Sequence, residues 1–170
     1  NYFLTEAMAS AKVVADAFPL VANDHNTTGT AVFSNPYFKM YGDNSQSGYS
    51  EVLFWRQYSA DKSVGHYTNG FLTGGANSGY TRGFVDAFLM KNGLPIYASG
   101  SGYQGDADLT TVKVDRDERL QLFMRVPGDY LAVTQQDNSY PDIINSVTER
   151  KAVTGYNVKK GLNGDAKYLT

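Results

Sequence analysis

Asp106, Asp108, Asp115, Asp117 and Glu118 crowd into one short span of the chain. Two carboxyls held on either side of a glycosidic bond supply the acid and the base of glycoside hydrolysis, but they must be a fixed distance apart. Nothing in this run sets such a distance, so it reads first as a solvated acidic face. His25 and His66 lie far apart with no carboxylate at a helix-spaced position, which supports neither a histidine-rich metal site nor a Ser-His-Asp relay. GDNSQSGYSE imitates the start of a calcium loop, with Asp43, Ser45 and Ser47 at alternating ligand positions and Gly48 where the sharp turn belongs. Its twelfth position is Phe54, which cannot ligate, so a helix-loop-helix calcium site is out and an irregular oxygen site stays open. GSGYQG, 100–105, matches Gly-x-Gly-x-x-Gly, yet that fingerprint needs a helix after it, and the polar, branched DADLTTVKVD promises none. No metal and no cofactor are expected.

Recognition without bond chemistry has more support. Thirteen tyrosines, nine phenylalanines and one tryptophan make up 14% of the chain, and several of the tyrosines fall in two stretches without formal charge, 63–81 and 92–105. Tyr67, Tyr80, Tyr97 and Tyr103, with Asn69, are the candidate ligand-binding residues. A tyrosine presents a rigid apolar face and a polar tip at low entropic cost, so loops that mix Tyr with Ser, Gly and Asn suit a ligand with CH-rich and hydroxyl-rich faces. A neutral sugar has such faces. The alternative for each tyrosine is that it pins a long loop to the body.

The elements that must position these residues are short. Leu4, Met8, Ala11, Ala15 and Phe18 recur at spacings of four and three, which predicts a helix over 3–18 stopped by Pro19. Phe3, Ala7 and Val14 widen its stripe, as in a helix packed between two others. NPYFKMYG predicts one short helical turn, and EVLFWRQY, 51–58, a strand buried on both faces with Trp55 inside it. FVDAFLMKNGLPI, 84–96, carries both a hairpin signal and a helix stop; a helix over 82–91 ended by Asn92-Gly93 is expected, with Pro95 beyond it. Asp86 would then sit at the edge of the apolar face and bond a neighbouring backbone or basic group. Leu120, Leu122, Met124 and Val126 alternate, predicting a strand closed by Pro127-Gly128, and a shorter strand is expected within 154–160. The fold class is α+β.

At 170 residues and 42% hydrophobic, the chain is long enough for one domain with a real core. A net charge of −2 gives no basic surplus with which to hold a phosphate backbone or an anionic membrane surface, so nucleic acid is not an expected partner. The absence of cysteine removes disulfides and thiolate chemistry without fixing a compartment.

The order of motifs carries a resemblance. Glu51-Val52-Leu53-Phe54 is similar to a Glu-Val-Ile-Phe strand, and Val85-Asp86-Ala87-Phe88 through Gly93 to a Val-Asp-Ala-Tyr…Gly segment. Asp115-Arg116-Asp117-Glu118-Arg119-Leu120 resembles Asn-Arg-Asp-Pro-Arg-Leu with Glu118 in the proline's place, and Thr154-Gly155-Tyr156-Asn157 resembles Thr-Gly-Tyr-Asn. Together they resemble the SusD/RagB family of cell-surface nutrient-binding lipoproteins of Bacteroidota. The resemblance implies an internal piece of a larger protein. Residues 1–20 would be the terminal helix of a tetratricopeptide-like scaffold, and 21–170 a loop-rich ligand-binding region. It further implies a non-enzymatic protein at the outer-membrane surface that binds an oligosaccharide or other nutrient and passes it to a SusC-like TonB-dependent transporter. Membrane attachment would run through a lipid anchor outside these residues. The alternatives are a glycoside hydrolase built on the acidic run and a peptide-binding surface protein.

Overall fold

In a computed structural model, which describes residues 1–74, 76–141 and 152–168, short helices and 3-10 turns surround two small antiparallel ladders. The class is α+β. The first helix, α1 (Tyr2–Ala17), forms where the apolar stripe predicts it, and Phe18 leaves it with an extended backbone ahead of Pro19. No residue of α1 is buried. The chain that follows it is anchored: the Ser50 hydroxyl donates to the Pro19 carbonyl (2.7 Å), and the Glu51 carboxylate accepts from the Val21 N–H (2.7 Å). Among the described residues no helix is long and apolar enough to cross a membrane.

The expected turn at NPYFKMYG is α2 (Pro36–Gly42). Asn35 caps it by accepting from the Tyr37 N–H (3.0 Å), and Pro36 occupies the first helical position, where a missing N–H costs nothing. Phe38 and Met40 go inward. Two further helices follow, α3 (Thr68–Gly74) inside the stretch read as loop, and α4 (Arg82–Ala87).

The strand expected over 51–58 is absent. Residues 52–57 make no ladder, and Phe54 is 93% exposed. Branched and aromatic side chains report a demand for burial, but a strand also needs a neighbour for its N–H and C=O groups, and among the described residues none pairs with this segment. The strand expected over 120–126 is mostly helix. Asp117 accepts from the Arg119 N–H (2.9 Å) and starts α6 (Glu118–Phe123), which follows α5 (Leu109–Lys113). Only Met124–Arg125 is strand, β1, paired antiparallel with β4 (Asn157–Val158). β2 (Tyr130–Ala132) and β3 (Gln135–Gln136) form the other ladder. The two-residue period misled because helix gives way to strand within the run and the core flanks α6 on two sides. Leu122 and Phe123 join Val32, Phe33, Phe38, Leu131 and Leu162, while Leu120 and Met124 join Val85 and Val112.

Glu118 is the first residue of α6, a position that proline also suits. An acid there also faces the positive end of the helix. Its carboxylate takes His25 Nδ1 (2.8 Å) and Asn23 Nδ2 (3.1 Å), tying the entry loop to α6.

α4 ends earlier than expected, with Phe88 already extended. Met90 to Leu94 then forms a separate tight turn: Met90 N–H to Leu94 O (2.9 Å) and Gly93 N–H to Met90 O (2.9 Å), with Gly93 at φ 81°. Both signals in this segment are therefore used, one after the other. Asp86 pairs with Arg82 one turn back (2.8 Å), as its edge position predicted. The earlier stop has a cause in Arg116, which is fully buried and donates to the carbonyls of Val85 (2.6 Å), Phe88 (2.9 Å) and Val112 (3.3 Å). It takes up the Phe88 carbonyl just past α4 and adds a second donor to the Val85 carbonyl, which also accepts from the Phe88 N–H (3.4 Å).

A second group of buried charges sits beside β1. The Asp129 carboxylate accepts from Lys113 (3.0 Å), Lys159 (3.1 Å) and the Val126 N–H (3.0 Å). Arg125 lies alongside, 3.7 Å from Asp137, and donates to the carbonyls of Leu72 and Thr73 at the end of α3. Two buried arginines thus use the same device, each closing the C-terminal end of one short helix.

Candidate functional site

The Arg125 bonds matter to function because α3 forms one wall of a groove of about 530 Å³. Its other walls are the end of α2, the loop after it, residues 55, 56, 58 and 59, residues 64–67, Gly161 and Lys167. Trp55, Tyr58 and Tyr67 line it, at 40%, 42% and 56% exposure, together with Gln46, His66 and Asn69. Aromatic faces and amide groups therefore open onto one cleft.

Local bonds hold each wall. Ser59 and Val64 exchange both N–H···O bonds (2.9 and 3.1 Å), pinching 59–64 into a closed loop that places Tyr58 opposite His66. Their rings meet edge to face, 4.6 Å between centroids at 88°. His66 Nδ1 accepts from the Thr68 N–H (3.3 Å) at the start of α3, so the neutral ring carries its proton on Nε2. Tyr67 lies directly over Gly70, where an added Cβ would overlap its ring, and packs edge to face on Phe71 (5.3 Å). Asn69 Oδ1 accepts from the Asn163 N–H (3.2 Å), and Asn163 in turn donates to the Gly42 carbonyl (2.8 Å). That chain joins α3 to α2 and fixes the Asn69 amide with its NH2 as the group left for a ligand. Gln46 is held from its amide nitrogen by the Met40 carbonyl (2.8 Å), which leaves its oxygen as an acceptor. Tyr41, at the rim, is pushed up to about 12 by burial and by its bond to Tyr37, so it stays an uncharged phenol at neutral pH.

Of the five residues expected to bind ligand, Tyr67 and Asn69 come together here. Tyr80 lines a different hollow, about 710 Å³, with Tyr37, Phe84, Phe88 and Phe123 around it. Burial pushes the Tyr80 phenol up to about 12, and its N–H is bonded to the Tyr156 carbonyl (2.9 Å). Tyr103 is half-buried with its ring 5.4 Å from the Arg116 guanidinium, the loop-pinning alternative, and Tyr97 stands 88% exposed. Neither lines either cavity. Trp55 and Tyr58 were missed because the strand reading buried both. Arg56 and His66 carry no binding motif, and they reach the cleft from either side of the Ser59–Val64 closure.

Four of the five acids of the 106–118 run, Glu118 among them, are held by bonds within the fold. Asp106 pairs with Arg82, Asp108 caps α5 and accepts from the Tyr140 hydroxyl (2.6 Å), and Asp117 grips Arg119 through both oxygens. After GSGYQG a helix does follow, α5, contrary to expectation. It is five residues long and its first turn is already filled by the Asp108 carboxylate, so a pyrophosphate finds no free N-terminus. In the calcium-like loop, Ser45 and Ser47 bond each other (2.9 Å) and Asp43 accepts from the Tyr49 hydroxyl (2.7 Å). Among the described residues no three His, Asp or Glu side chains are placed to share a metal.

Comparison with known proteins finds no matching family model, no matching curated protein and no matching solved structure.

Proposed function

We propose that this chain is a glycan-binding region and that the groove of Trp55, Tyr58 and Tyr67 is where the sugar sits. The supporting observation is the combination in one cleft of three partly exposed aromatic faces with amide groups whose remaining donor and acceptor are fixed by bonds on their other side. Pyranose rings stack their CH faces on such rings while Asn69, Gln46 and His66 take hydroxyls. On this reading the chain performs no bond chemistry.

The SusD/RagB reading places that groove in a cell-surface protein of the outer membrane, lipid-anchored in its complete form, which delivers its glycan to a SusC-like TonB-dependent transporter. Within it α1 would belong to a tetratricopeptide-like scaffold. One structural fact favours this: three of the four motifs behind the resemblance meet. Arg116 of the Asp115–Leu120 motif closes the helix of Val85-Asp86-Ala87-Phe88, and Tyr156 of Thr-Gly-Tyr-Asn packs on the cluster that holds Val85 and Leu120. A set of motifs that builds one hub is what a shared fold requires.

Trp55 is the sole tryptophan, so its emission reports ligand directly. Titration of the chain with a panel of oligosaccharides should change that emission, and calorimetry should show a loss of about tenfold in affinity, equivalent to about 1.4 kcal/mol, for Tyr67→Ala. Gly70→Ala separates binding from folding. The added methyl displaces the Tyr67 ring yet suits a helix interior better than glycine, so affinity should fall while thermal stability holds or rises. Wild-type affinity in both variants would remove the groove as the site.

A further inference from the structure

We propose that the sugar this groove selects carries a carboxylate, seated on Arg56. The inference rests on the glycan reading above and adds the ligand's charge. Among the described residues Arg82, Arg119 and Arg125 each have a carboxylate partner, and buried Arg116 is taken up by three carbonyls. Arg56 is different. It is exposed on the groove wall, its guanidinium lies 5.6 Å from the Tyr58 ring centroid, and it forms no ion pair within the described residues.

The other charges around the cleft are already matched. Asp43 is occupied by the Tyr49 hydroxyl (2.7 Å) with Lys39 at 3.7 Å, and Lys167 pairs with Asp165 (2.8 Å). Closing a neutral sugar over the groove would strip water from Arg56 and return only hydroxyl bonds. A carboxylate returns two parallel N–H···O bonds and the opposite charge. Tyr58 sits between the guanidinium and the His66 ring, so cation, aromatic face and the His66 Nε2–H donor form one continuous patch. Its three parts correspond to the acid group, the ring face and a hydroxyl of a hexuronate.

Because Arg56 is at the surface, salt should screen the preference. The test compares oligogalacturonides with their methyl esters, which keep the shape and lose the charge. The chain should bind the acid form about fivefold tighter at low salt. That ratio should fall toward one in Arg56→Gln and in about 0.5 M salt, and stay above one in Arg56→Lys. Tyr67→Ala should weaken both forms by the same factor. Equal binding of acid and ester, or a preference that survives Arg56→Gln, overturns the charge assignment. Binding of neutral oligosaccharides in preference to both overturns it too and leaves the glycan reading standing, whereas no binding to any oligosaccharide ends both.

Discussion

Asp129→Ala is expected to cost about 3–5 kcal/mol of stability at pH 7, the penalty for removing one partner from a buried ion pair. Here one carboxylate serves two ammoniums. Lys159 is fully buried and Lys113 nearly so, and Asp129 holds one on each oxygen (3.1 and 3.0 Å) while also accepting from the Val126 N–H. Without it both lysines must either stay charged in an apolar site or fold as free amines. Urea titration followed by far-UV circular dichroism measures the loss, since Trp55, 40% exposed, is a poor probe of the interior. Asp129→Asn keeps the shape and discards the charge, so it should lose nearly as much. Adding Lys113→Met and Lys159→Met to Asp129→Leu should recover most of the stability, because apolar side chains of similar volume need no counter-charge. If Asp129→Ala alone unfolds at the wild-type urea concentration, the cluster contributes nothing.

The same cluster gives the stability curve an unusual alkaline limb. Burial pushes Lys159 down to about 8, with Asp129 only partly opposing it, and burial lowers Lys113 as well. A lysine whose folded value is depressed adds stability that is complete above its unfolded value near 10.5 and is lost as pH falls through the folded one. Between about pH 8 and 10 the unfolded chain holds more protons than the folded one, so stability should rise with pH. Tyr41 and Tyr80, raised to about 12, act in the other direction. Above about pH 10 the unfolded phenols ionise first and stability falls. For Asp129, burial works against ionisation but the two lysines outweigh it and hold the carboxyl below its ordinary value. Its contribution is present above 3.8 and disappears as pH falls through the folded value. A maximum near pH 9–10 in the urea midpoint, absent in Lys159→Met, is the expected profile.

These two features differ in how far the sequence announces them. α1 and α2 were legible because each carries its own signal: a stripe with a proline stop, and an Asn-Pro cap. Asp86 was legible because its partner, Arg82, is one helical turn away. Asp129 was not, since its two lysines lie 16 residues before it and 30 after it, and local pattern is silent about such distances. The groove is hidden for the same reason: its lining residues Tyr41, Trp55, Tyr67 and Gly161 are far apart in the chain, and the return through Asn163 ties Asn69 to Gly42. Where two signals competed, as at 117–126, the local hydrogen bond of a cap decided the start and the two-residue period described only the end. Burial patterns state what a side chain needs, whereas caps state what the backbone does, and the backbone is settled first.

Arg116→Met tests the claim that a buried arginine stops α4, and it should cost about 2–4 kcal/mol. Two effects oppose each other. Arg116 is fully buried, and among the described residues it has no carboxylate partner and its Nε no hydrogen bond, so its desolvation counts against the fold. Burial accordingly lowers its pKa. Against this stand three carbonyl bonds, the shortest 2.6 Å to Val85, and the Tyr103 ring facing the guanidinium. A hydrogen bond from a charged donor is worth about 1.5–3 kcal/mol, so three together exceed the burial of one delocalised cation. Methionine fills the stem's volume and supplies no donor. Lysine offers a point charge that cannot reach carbonyls on two helices at once, so Arg116→Lys should fall between the two. Hydrogen exchange should localise the damage: the Phe88 and Asp117 amides, bonded to Val85 and Leu89, lose protection first, while the Asp137 amide, bonded to Asp129, keeps it. Full stability of Arg116→Met would mean that desolvation cancels the three bonds, and that α4 ends at Ala87 by its own turn chemistry.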